Sequence, residues 1–151
     1  MAHIISALSE SEVEELHSTG STIGAYILFP SNRIDMKPTI NGARGMSHAI
    51  GDRFDLTLEC IRRHYLQEAS PLETTLQRYA SFFALFDNFQ GYVDFFLLQD
   101  LVTEDYQAIR FYLPFDDFKS SPLPSSVSEY RTYQKGVLEF IENRNGRIDN
   151  R

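Results

Sequence analysis

Four polar residues recur at helical spacing within one otherwise apolar stretch. Arg53, Thr57, Cys60 and His64 fall at i, i+4, i+7 and i+11. On a helix turning about 100° per residue they share one stripe. A guanidinium and an imidazole on one stripe are suited to chemistry on an anion. Arg53 would give charge-assisted donors to a phosphate, and His64 would serve as acid or base near neutral pH. A second arginine precedes them in Thr-Ile-Asn-Gly-Ala-Arg-Gly at 39–45. Glycines let backbone amides approach an anion, and the loop leads toward a helix N-terminus, which favours negative charge. Arg44 would complete the clamp and Asn41 would orient the ligand. The spacing is neither a P-loop nor a dinucleotide fingerprint, because no Gly-Lys-Ser/Thr ending follows.

A plainer reading stands beside this one. A buried guanidinium needs a partner, since an unpaired buried charge is costly. Arg53 is then a structural clamp, and Asp94 and Asp100 are the carboxylates expected to meet Arg53 or Arg44. The glycines beside Arg44 then only permit positive φ in a loop. Other chemistries fare worse. Asp52, Asp55 and Glu59 lie on one side of the helix, but Arg62 and Arg63 stand at ion-pairing distance on the same arc. That arc reads as a solvated face. No histidine joins it at ligand spacing, so no metal site and no cofactor are expected. No strand–turn–helix elbow presents a serine or cysteine nucleophile. The single cysteine, Cys60, excludes an internal disulfide and a multi-cysteine zinc site, and its helical position suits packing.

The elements that must position these residues follow from periodicity. A helix over 52–67 carries Phe54, Leu58, Ile61 and Tyr65 as its apolar stripe. Ser9 opens an earlier amphipathic helix that runs to about His17. Residues 23–30 are apolar, β-prone and closed by Pro30, which predicts a buried strand. Residues 108–114 resemble them and would form its partner. Ser70, Pro71 and Glu73 predict a helix start, with Leu72, Leu76, Tyr79, Phe83 and Phe86 as its core stripe, thickened by Phe82. Residues 91–102 are apolar nearly all round and predict a buried helix. Residues 115–127 read as a Pro/Ser-rich surface loop. A last helix over 128–143 buries Tyr130, Tyr133, Val137, Phe140 and Ile141, and residues 144–151 are expected to fray. The fold class predicted is α+β, α-dominated. About five helices surround an aromatic-rich core with a small two-stranded β element.

At 151 residues the chain is most simply one domain, long enough for a core without staples. Twelve Phe and eight Tyr with no Trp make that core aromatic. The net charge of −7 argues against nucleic-acid binding driven by overall charge. Charge is uneven, however. Residues 31–67 hold six Lys/Arg against four Asp/Glu, and residues 68–120 hold three against nine. An anion site therefore belongs to the first stretch. The N-terminus lacks the charged and apolar regions of a signal peptide, and no apolar run is long enough for a span. A soluble, cytoplasmic protein is the expectation.

Three stretches carry a resemblance: 39–45, 52–65 (Asp-Arg-Phe-Asp-Leu-Thr-Leu-Glu-Cys-Ile-Arg-Arg-His-Tyr) and 91–101 (Gly-Tyr-Val-Asp-Phe-Phe-Leu-Leu-Gln-Asp-Leu). Together they resemble an uncharacterised bacterial protein family, a domain of unknown function, over about 23–141. The resemblance implies a bacterial origin and an unassigned activity, with no catalytic residues to carry over. It also implies relatives longer at the N-terminus, so that this chain would lack a sub-domain. On these grounds whether the chain is an enzyme stays open. The leading reading is a non-catalytic binding or interaction domain, with a homodimer through the apolar face of the last helix as one form. The alternative is a binder or enzyme for a phosphate-bearing ligand, a nucleotide or RNA end, built on Asn41, Arg44, Arg53 and His64.

Overall fold

A computed structural model describes residues 2–151. Among the described residues there are eight α-helices: α1 (Ala2–Ser6), α2 (Glu10–Gly20), α3 (Ile40–Met46), α4 (Phe54–Leu66), α5 (Glu73–Arg78), α6 (Ala80–Ala84), α7 (Phe89–Phe96) and α8 (Val127–Asp149). Short 3-10 turns stand at Ile23–Ala25 and Gln99–Leu101. Among the described residues helix makes up 56% and strand 1%, with no sheet. The fold is all-helical, which overturns the α+β class and its two-stranded element. The reason is that β-propensity reports fit to a half-buried pleated surface rather than a backbone preference. Residues 23–30 have the composition of a strand but not its surroundings. Ile23 is 65% exposed and Leu28 78%, and a side chain takes up the backbone carbonyls of Gly24 and Tyr26. Residues 108–114 contribute one isolated antiparallel bridge, Ile109 to Val102.

The chain divides into two units. One comprises Met1–Ile27, Tyr112–Pro114 and Leu123–Arg151; the other comprises Leu28–Phe111 and Phe115–Pro122. In the first, α2 begins in the capping box its sequence predicts. The Ser9 hydroxyl accepts from the Glu12 amide, and the Glu12 carboxylate accepts from the Ser9 amide at 2.7 Å. The same carboxylate receives Arg131 of α8 at 2.7 Å. Those donors hold the Glu12 carboxyl down to about 2.

Where fraying was expected, α8 continues to Asp149. Its last turns are anchored by side chains. Arg144 is buried and donates to the carbonyls of Gly24 at 3.1 Å and Tyr26 at 2.6 Å. Asn145 accepts from the Gly24 amide at 2.7 Å and donates to the Thr22 hydroxyl at 2.8 Å. A Cβ at Gly24 would lie 2.5 Å from Asn145 Oδ1 and 2.6 Å from the Ile141 carbonyl oxygen.

The second unit is built on α4, which packs against α5 and α7 while α3 packs on α5. Leu58, Cys60 and Ile61 are fully buried. At the far end of α4 the Tyr65 hydroxyl donates to the Phe83 carbonyl at 2.6 Å. That end of α4 meets a cluster in which Phe83, Phe86, Tyr92 and Phe96 stand at centroid distances of 4.8–5.8 Å. Each such pair adds about 0.5–1.5 kcal/mol beyond area burial. The helix expected from Ser70 is broken at Tyr79 into α5 and α6. The one expected over 91–102 starts two residues earlier and stops at Leu97, which is left-handed at φ 57°.

Gly24→Ala is expected to lower stability by about 1–3 kcal/mol, the range for forced overpacking. Chemical denaturation reads this directly. An unchanged midpoint would mean that Gly24 is not pressed against α8.

Candidate functional site

Arg53 immediately precedes α4 and its side chain is buried. The carboxylate it grips is Asp55, two residues on. It forms a fork with Asp55, Nε to Oδ1 at 3.1 Å and Nη2 to Oδ2 at 2.6 Å. Nη1 donates to the Pro122 carbonyl at 3.1 Å. Asp55 is fully buried, against the expectation of a solvated face. It sits in the first turn of α4, where the helix dipole also favours a negative charge. Asp94 instead accepts from the Tyr106 hydroxyl at 2.6 Å and from Gln99 at 3.2 Å. Asp100 lies half-buried in the turn Gln99–Leu101.

Arg44 is drawn inward as well. Nε donates to the Thr57 hydroxyl at 2.9 Å, Nη1 to Asp52 Oδ1 at 2.7 Å, Nη1 to Asn41 Oδ1 at 3.3 Å and Nη2 to the Asp52 carbonyl at 2.7 Å. Thr57 in turn donates to the Arg53 carbonyl at 2.8 Å. Asn41, Arg44 and Arg53 thus meet in one network, but their donors face acceptors of the chain itself. His64 does not join them. Eleven residues of helix separate it from Arg53, about 16 Å of rise. Its ring lies against Phe83 at 5.0 Å and Tyr65 at 5.7 Å. Burial there depresses its pKa below the ordinary 6.5.

The other charges of α4 are paired as well. Glu59, expected in solvent, is 3% exposed. It accepts two bonds from Arg62 at 2.8 Å and one from Arg63 at 2.9 Å. Arg63 reaches on to Asp117 at 2.7 Å and lies over the Phe118 ring at 5.1 Å. Residues 115–122, read as a surface loop, therefore cover the polar face of α4. Among the described residues no group of His, Cys, Asp and Glu could hold a metal, and no helix is long and apolar enough to cross a membrane.

A concavity of this unit lies away from these charges. Leu28, Phe29 and Pro30 form one wall of an open groove, and Phe82, Leu85 and Phe86 with Phe95 and Phe96 form the other, enclosing about 510 Å³. The arm is tied down beyond Pro30, where the Tyr79 hydroxyl donates to the Asn32 carbonyl at 2.8 Å. Leu28, Leu85 and Phe95 are 78%, 74% and 59% exposed. None of the eight side chains titrates or offers a hydrogen bond. Sequence patterning places residues 28–30 in a strand, Phe82 and Phe86 in a core stripe and Phe95 and Phe96 in a buried helix, and leaves Leu85 unassigned. The signal available was an apolar surplus, with Phe82, Phe83, Leu85 and Phe86 surrounding a helix that has only one neighbour-facing side.

Two outcomes follow for this site. Asp55→Ala should lower stability by about 3–5 kcal/mol, because it strands a buried guanidinium. The double variant Arg53→Met/Asp55→Leu should lose less than the two single losses added together; strict additivity in denaturant titrations would exclude the pair as a clamp. His64 gives a pH dependence. With the folded pKa depressed, the unfolded chain binds the proton more readily. Stability is then full above about 6.5 and declines as pH falls toward the folded value. The melting temperature of His64→Leu should accordingly drop less than that of the wild type between about pH 7.5 and pH 5. Equal drops would place His64 in solvent.

No curated protein and no solved structure matches the chain. A family model spans residues 1–148, nearly the whole of the sequence just described. The chain belongs to that family, one of unknown function (DUF6994).

Proposed function

We propose that this chain is a non-catalytic binding domain whose aromatic groove takes up bulky apolar side chains of a partner. One observation carries the reading: eight hydrocarbon side chains line an open concavity, and Leu28, Leu85 and Phe95 remain mostly in water. Isolated exposed apolar residues are ordinary, but a contiguous patch of this kind marks an interaction surface. Covering it stabilises a complex by about 25 cal/mol for each Å² of apolar surface removed from water, before the cost of association. Nothing lining the groove can act as nucleophile, acid or base, so retention rather than reaction is the chemistry on offer.

The phosphate reading has less support. An anion at Arg44 must displace Asp52, and one at Arg53 must displace Asp55 from a buried fork, at several kcal/mol. A homodimer through α8 also has less support, because Ile141 is buried and Tyr130 and Val137 are half-buried. A cytoplasmic setting belongs to the same proposal; the single cysteine is buried, and desolvation pushes its thiol up to about 11.

An uncharged apolar fluorescent dye such as Nile red tests the groove. Wild-type protein should enhance its emission, and Leu85→Gln and Phe95→Gln should each reduce that signal several-fold with unchanged circular dichroism. Exposed substitutions of this kind shift stability by about 0.5 kcal/mol or less. Equal dye signals in all three proteins would remove the groove as a binding site.

A further inference from the structure

We propose that the occupant of the groove is a basic amphipathic segment of another protein, one presenting Leu- or Phe-sized side chains beside lysines or arginines. This rests on the groove reading above and adds the charge of the partner. Residues 79–101 supply five of the eight lining side chains, Phe82, Leu85, Phe86, Phe95 and Phe96. The same stretch contains Asp87, Asp94 and Asp100 and not one lysine or arginine. Asp87 directly follows Phe86 and is exposed, with a left-handed backbone at φ 68°. Asp94 stands next to Phe95, half-buried. The opposite wall differs. Beyond Pro30 the arm carries exposed Arg33 and Lys37 with exposed Asp35. Carboxylates thus adjoin the groove-lining residues in the α6–α7 connection and on α7, whereas the arm is mixed, which favours the α7 side for a ligand's cations.

The competing occupants are opposed by charge. A second copy brings the same −7 to an acidic rim, and an isologous contact would set α7 aspartates against each other. An anionic membrane surface or a free fatty acid would bring negative charge to the same rim. A basic amphipathic segment satisfies both features at once. Its apolar face fills the groove, as in helix-in-groove recognition, while its cations meet Asp87 and Asp94. Rim charges of this kind set specificity and association rate, and salt screens them.

Fluorescence anisotropy with two labelled peptides tests the proposal. Both carry Leu and Phe at i, i+3, i+4 and i+7; one has lysine at the remaining positions and the other glutamate. The lysine peptide should bind wild-type protein at least about tenfold more tightly, a difference of about 1.4 kcal/mol, and the preference should shrink as salt rises. Asp87→Lys should reduce the preference while leaving dye binding at wild-type level. Leu85→Gln, which keeps every charge, should weaken the lysine peptide several-fold. If that peptide binds Leu85→Gln as well as wild type, bulk attraction explains it and the proposal fails. If dye still reports the groove but the two peptides bind equally, the groove reading survives and the basic partner is overturned. If sedimentation shows a dimer that Leu85→Gln dissociates, a second copy occupies the groove and the proposal is wrong.

Discussion

Arg53 and Asp55 stand two residues apart at the start of α4, both almost wholly out of water. Neither would be tolerated there alone, and their fork geometry lets each neutralise the other. The third edge of the guanidinium takes the Pro122 carbonyl, which brings the loop 115–122 back over α4. The Arg53 carbonyl accepts from Thr57, Thr57 accepts from Arg44, and Arg44 reaches Asp52 and Asn41. The entry to α4, the short helix α3 before it and a loop almost seventy residues downstream are thereby one connected network. With α4 fixed at this end, Tyr65 at the other holds the Phe83 carbonyl and so places α6 and α7.

The consequence is a division between charge and hydrocarbon that is the reverse of what a surface helix suggests. On α4 the charged residues look inward and are consumed by architecture; Glu59 alone takes three arginine bonds. On α6 and α7 the apolar residues exceed what the interior can use. Those helices have five and eight residues, short enough that one face reaches the core through Phe83, Tyr92 and Val93 while the other turns outward. The arm 28–30 half-covers that outer face and leaves the groove. The proposed binding groove arises in the same unit in which Arg44 and Arg53 are taken up by acceptors of the chain itself.

Local regularities were legible in the chain. The Ser9 capping box, the Leu58 and Ile61 positions of the α4 stripe and the burial of Phe140 and Ile141 on α8 follow from spacing within one element, whereas Tyr130, Tyr133 and Val137 are only half-buried. Pairing of Glu59 with Arg62 and Arg63 was readable at i+3 and i+4, but its burial was not. The cover comes from Asp117 and Phe118, more than fifty positions away. The strand predicted over 23–30 failed for a related reason. Its acceptors bond to Arg144, about 120 positions on, and no ladder remains to form. The end of α7 was lost because the stop is a left-handed Leu97 rather than glycine. The groove was missed because periodicity cannot say whether a second apolar face meets protein or water.

The most direct measurement is amide chemical-shift mapping of the isotope-labelled protein during separate titrations with the basic amphipathic peptide and with inorganic phosphate. The account predicts that the peptide perturbs Leu28, Leu85 and Phe95 and their neighbours, and that phosphate leaves Asn41, Arg44 and Arg53 unmoved. Shifts gathered around Arg44 and Asp52 on adding phosphate, with the groove silent toward the peptide, would contradict it.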